Sequence, residues 1–114
     1  MTMKEAILRY TEEVGGSVTF VELSRNIPGF EGEYAFEVKG GRVFWSGVSD
    51  EGITALQELI KNDELVVKPV SPLAYFIDGR YLALPLGKTL KKPYKRPHWF
   101  PVVFSLPGQE SITY

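Results

Sequence analysis

The sequence predicts an α+β domain: three helices, an inserted β-hairpin and a C-terminal antiparallel sheet. Three observations carry this. Two capping boxes open amphipathic stretches near the N-terminus. A Gly-Gly pair separates two β-prone runs, "EYAFEV" and "RVFWSG". After a third helical pattern, the apolar residues fall into short runs broken by Pro, Gly and Asp.

The first helix starts from Thr2 and Glu5, spaced so that the hydroxyl and the carboxylate each satisfy an orphan backbone N–H. Met3, Ile7, Tyr10 and Val14 follow at helical spacing and predict its buried face, and Gly15-Gly16 stops it. In "SVTFVELSRNIPG" the device recurs. Thr19 and Glu22 cap, Val18 and Leu23 make a hydrophobic staple, and Pro28-Gly29 ends a short second helix. With Gly40-Gly41 as a two-residue turn, Val38 faces Val43 and Phe36 faces Trp45. Tyr34 joins these four on one apolar face, and Lys39 and Arg42 flank the turn. The third helix, "SDEGITALQELIKNDE", is capped by Ser49, with Asp50 and Glu51 at the positive end of its dipole. Its stripe is Ile53, Leu56, Leu59 and Ile60, and Gly52 costs its first turn about 1 kcal/mol against alanine. "ELVVKPV", "LAYFI" and "RYLALPL" read as three strands, the last two joined at Asp78-Gly79. "FPVVFSLP" reads as a final extended segment that covers the sheet, and "GQESITY" as a tail.

The formal net charge of −1 conceals an asymmetry. Residues 1–64 hold twelve acidic and six basic side chains, whereas residues 65–114 hold two acidic and seven basic. One end of such a molecule can meet an anion while the whole stays near neutral. The absence of cysteine removes disulfides, thiolate metal sites and cysteine nucleophiles, and fits a cytoplasmic protein. No stretch approaches a membrane span, and the acidic N-terminus is unlike a secretory signal.

Over roughly residues 2–84 the order of elements resembles the winged-helix domains. "SVTFVELSRNI" stands for their second helix, and "VSDEGITALQELIKNDELVVKPV" for the third helix and the strand leaving it. In that pattern Ala55-Leu56, Leu59 and Leu65 pack the third helix on the first two. The resemblance implies a winged-helix-like domain over residues 1–86, with residues 33–47 as an inserted hairpin, and nucleic-acid binding as its usual work. Two departures stand against it. A hairpin intervenes where the family has a short turn. The third helix exposes Asp50, Glu51 and Glu58 against Lys61, a poor match for phosphates.

Several candidate sites reduce to structure. His98, the single histidine, has no acid within ten residues, so neither a triad nor a metal site forms around it. "LGKT" at Leu86–Thr89 resembles the end of a phosphate-binding loop, but Leu82 stands where the first glycine belongs. Ser49 in "GVSDEG" has Glu51 where a nucleophile elbow needs glycine. Glu31, Glu33 and Glu37 surround a turn and hairpin, where solvated acids are routine.

What remains is the basic, Pro- and aromatic-rich extension, residues 87–114, expected to pack on the same domain. Lys88, Lys91, Lys92, Lys95 and Arg96 supply cations, and Tyr94, Trp99 and Phe100 faces for stacking, Trp99 above all. Pro93, Pro97 and Pro101 equally suit an extended strap docked on the core. The expectation is therefore a non-enzymatic protein, without cofactor or metal, whose basic segment contacts nucleic-acid backbone. The alternative is a protein-interaction module, a homodimer through this extension included.

Overall fold

The computed structural model describes residues 1–89 and 93–109. Three helices begin where their caps predict. α1 (Met3–Val14) and α2 (Phe20–Asn26) each carry a complete capping box, Thr2 with Glu5 and Thr19 with Glu22. α3 (Asp50–Lys61) is capped by the Ser49 hydroxyl, which accepts the Gly52 N–H and donates to the Gly29 carbonyl. The buried face of α1 is rotated from expectation: Ile7 and Thr11 are buried, while Val14 is 46% exposed. Thr11 tolerates burial because its hydroxyl donates to the Ile7 carbonyl at 2.7 Å. In α3 the buried set is Gly52, Ala55, Leu56 and Leu59, with Ile53 and Ile60 at its margins.

The hairpin forms from β1 (Glu31–Val38) and β2 (Arg42–Val48), and Phe36 faces Trp45 as predicted. Nearer the tip the register differs. Val38 pairs with Arg42 and Glu37 with Val43, because an irregularity after Phe36 leaves Lys39, Gly40 and Gly41 as the loop. A separate irregularity between Tyr34 and Ala35 takes Tyr34 off the apolar face, and it is exposed. β4 (His98–Trp99) adds to β2 in parallel, Arg42 opposite His98 and Val43 opposite Trp99. A second sheet pairs β3 (Val66–Pro69) antiparallel with β5 (Val102–Ser105). On its other edge β5 bonds Val18, whose N–H and C=O both pair with Phe104.

The strand reading of residues 73–86 needs correcting. "LAYFI" is a short helix, α4 (Leu73–Ile77), and the segment after it makes only an isolated bridge, Leu86 with Trp99. Asp78-Gly79 is not a hairpin turn but the end of this helix. Gly79, at φ 77°, donates to the Phe76 carbonyl, and Arg80 donates to the Tyr75 carbonyl. The strand partner of β3 is thus not its neighbour in sequence but β5. Gly108-Gln109 is no free tail either: the Gln109 side-chain amide accepts from Leu106 N and donates to the Thr11 carbonyl.

Phe20 lies at the centre of the core, its ring within 6.2 Å of those of Phe30, Phe36 and Phe104. A second aromatic group, Trp45, Tyr75 and Trp99, holds α4 against the sheet. The buried Tyr75 hydroxyl donates to the Val102 carbonyl at 2.7 Å and accepts from Phe20 N. Among the described residues no helix is long and apolar enough to cross a membrane.

Candidate functional site

The hairpin tip and the basic segment meet. Tyr94 N donates to the Gly40 carbonyl and His98 N to the Gly41 carbonyl, both at 2.8 Å. Gly41, at φ 73°, has no room for a side chain, since a Cβ there would lie 2.7 Å from the Tyr94 carbonyl. Arg42 reinforces the junction from below. It is 8% exposed, donates to the carbonyls of Lys39 and Thr89, and lies 5.9 Å from the Tyr94 ring centroid.

Tyr94 organises the segment around it. Its hydroxyl oxygen accepts the backbone N–H groups of Lys88 and Thr89, at 2.7 and 3.0 Å. Its ring stacks on His98, with centroids 3.9 Å apart. His98 in turn holds its Nδ1 2.8 Å from the Arg96 carbonyl, which can only accept, so the proton sits on Nδ1. This histidine orients backbone.

These contacts gather Lys39, Lys88, Lys95 and Arg96 at one end of the molecule, all exposed. Among the described residues none of the four is in an ion pair. Lys91 and Lys92 lie outside the described residues. Trp99 leaves the candidate set. It is 2% exposed, packed on Trp45, Tyr75 and Phe76, and no face of it can receive a base. Phe100 is half-buried, against Phe44. Within this extension β5 has partners on both edges in its own chain, β3 on one and Val18 on the other.

The other sequence candidates have structural roles. Three successive N–H groups of "LGKT" are taken, Gly87 by the Trp99 carbonyl and Lys88 and Thr89 by Tyr94, so this segment does not cradle a phosphate. Ser49 is a helix cap. Glu31, Glu33 and Glu37 are exposed along β1, the edge of its sheet, where charge discourages pairing with another chain. Among the described residues no three acids or histidines are grouped so as to hold a metal ion.

Two further surfaces complete the picture. Asp50, Glu51 and Glu58 line a groove of about 410 Å³ between α3 and the start of α1. Lys4 reaches the Glu58 carboxylate at 2.8 Å, and that hydrogen bond raises the lysine pKa. On α4, Leu73, Phe76 and Ile77 are exposed, as is Tyr81 just beyond it. Sequence reasoning missed this surface because it read those residues as strand. It also missed that Lys39 belongs with the basic segment, for which the only local signal was a tyrosine among lysines.

No family model, curated protein or solved structure matches this chain.

Proposed function

We propose that this chain is a small, non-enzymatic, winged-helix-like protein of the cytoplasm that binds nucleic acid through its basic end, as an accessory or regulatory factor. The observation that carries the reading is the pair of backbone hydrogen bonds from Tyr94 and His98 to Gly40 and Gly41. They bring a hairpin lysine, Lys39, to the same end as Lys88, Lys95 and Arg96. Four exposed cations, in no ion pair among the described residues and held on a hydrogen-bonded scaffold, suit a phosphate backbone, whose counterions they displace. The third helix does not suit it, with Asp50, Glu51 and Glu58 in solvent. The binding mode is therefore backbone contact at the basic end, without base-edge reading by a recognition helix.

Fluorescence anisotropy of labelled random-sequence DNA, at low and at physiological salt, tests this. Wild type is compared with a variant carrying Lys39, Lys88, Lys95 and Arg96 changed to Gln. The wild type is expected to bind with a steep salt slope, and the variant's slope to be shallower by about 3. No binding by wild type even at low salt would sink the reading.

The second reading is a protein-interaction module that kept the fold and does not bind nucleic acid. The exposed apolar residues of α4 and the acidic face of α3 favour it.

A further inference from the structure

Phe76 and Tyr81 are 49% and 66% exposed, yet they are not loose. Their rings meet edge to face, 6.1 Å apart, and Phe76 rests against the buried Trp99 at 6.5 Å. Trp99 is locked in turn by Tyr75 and Trp45. Two guanidinium-bearing residues stand at the same end of α4. Arg25 donates from Nη2 to the Asp78 carbonyl at 2.8 Å, and Arg80 closes the helix through its own N–H. Both are exposed. Two carboxylates stand nearby, and both are engaged: Asp78 accepts the Thr19 hydroxyl at 3.0 Å, and Glu22 accepts from the Tyr10 hydroxyl and the Thr19 N–H.

From Tyr81 the chain runs to Lys88, where the basic end begins. Seven residues reach at most about 25 Å, and the bridge of Leu86 to Trp99 ties this run to the strand whose Trp99 ring supports Phe76. Aromatic faces and two arginines therefore stand within that reach of the cluster of lysines.

We propose that the α4 surface is a stacking platform, and that the nucleic acid taken by the basic end is single-stranded, with bases on Phe76 and Tyr81 and backbone on Lys88, Lys95, Arg96 and Lys39. The proposal rests on the nucleic-acid reading above and names its substrate class. In a duplex the base faces are covered by their neighbours, and rings on the outside of a helix reach them only by unstacking the pair. In a single strand those faces are free, and each stacked base contributes sequence-independent affinity. Leu73 and Ile77 continue the apolar surface along α4 beneath the sugars.

The experiment compares a labelled oligothymidylate of about fifteen nucleotides with a duplex of the same length. Three proteins are titrated: wild type, the double variant Phe76→Ala/Tyr81→Ala, and the basic-end Gln variant. Wild type is expected to prefer the single strand. The aromatic variant should lose about tenfold or more of single-strand affinity, keep its duplex affinity and keep its salt slope. The Gln variant should show a slope shallower by about 3 on both. Phe76→Trp should retain binding, which separates loss of a ring from loss of fold. If the aromatic variant binds the single strand as wild type does, this inference fails while the nucleic-acid reading stands. If wild type binds neither probe, both fail. Concentration-dependent sedimentation abolished by the aromatic variant, with single-strand affinity unchanged, would instead make α4 an interface between copies of this chain.

Discussion

The Gly40 carbonyl accepts the Tyr94 N–H at 2.8 Å, a bond between residues that no local pattern connects. Next to it, Gly41 at φ 73° has the Tyr94 carbonyl where a Cβ would go. Gly79 has nearly the same backbone angle, 77°, but nothing within 4 Å of the corresponding position. The two glycines separate conformational strain from steric contact. Gly79→Ala is expected to cost about 1 kcal/mol, the left-handed penalty alone. Gly41→Val is expected to cost about 3 kcal/mol or more, since the hairpin tip must also part from the basic segment. Urea unfolding of both variants measures this. Equal losses would mean that the tip does not press on Tyr94.

The parts of this fold that could be read from sequence are those decided within a few residues. Thr2 with Glu5, Thr19 with Glu22 and Ser49 act through neighbours three positions away, so spacing alone located three helix starts. "LAYFI" failed because a five-residue apolar run satisfies both periods, and Asp-Gly suits a hairpin and a helix end alike. The contacts that fix it are distant: the Tyr75 hydroxyl bonds the Val102 carbonyl and the Phe20 N–H, partners no local pattern announces. The candidate site was half legible for the same reason. The cations of the basic segment were visible as a cluster. Their meeting with Lys39 depends on a parallel pairing of β2 with β4, a contact across more than fifty residues.

Gly52 inverts an ordinary expectation. In the first turn of a helix, Gly→Ala usually gains about 1 kcal/mol. Here a Cβ would meet the Phe30 ring at 3.0 and 3.2 Å and the Ser49 hydroxyl at 3.2 Å. Phe30 is fully buried and held against Phe20, so it has nowhere to retreat. Gly52→Ala is expected to destabilise by about 1 kcal/mol or more, read as a lower urea midpoint. A gain would show that the core around Phe30 yields.

Stability should decline at alkaline pH. Burial pushes Tyr10 up to about 12, with the Glu22 carboxylate adding to the effect. Burial also pushes Tyr75 upward. A phenol whose pKa is higher folded than unfolded contributes stability in full below its unfolded pKa, near 10. That contribution is lost as pH rises through the folded value. Lys4, raised by Glu58, acts in the same direction. Thermal melts between pH 8 and 11 should show the midpoint falling, and Tyr10→Phe should flatten part of that fall. An unchanged profile in Tyr10→Phe would place that phenol in water.

The tryptophans give the last test, because the basic segment leads directly into one of them. Trp99 and Trp45 are 2% and 5% exposed, so acrylamide should quench the native protein weakly and the urea-unfolded chain strongly. Trp99→Phe leaves Trp45 as the only reporter and should remain equally protected. The indole N–H of Trp99 is buried with no acceptor among the described residues. An unpaired buried donor carries a penalty of about 1–3 kcal/mol, which phenylalanine relieves while losing some packing. Trp99→Phe should therefore cost far less than the roughly 3–5 kcal/mol expected of Trp99→Ala. Near-equal costs for the two would show that the indole N–H is bonded after all. Strong quenching in the native protein would free the ring, and return Trp99 to the residues that can stack on a base.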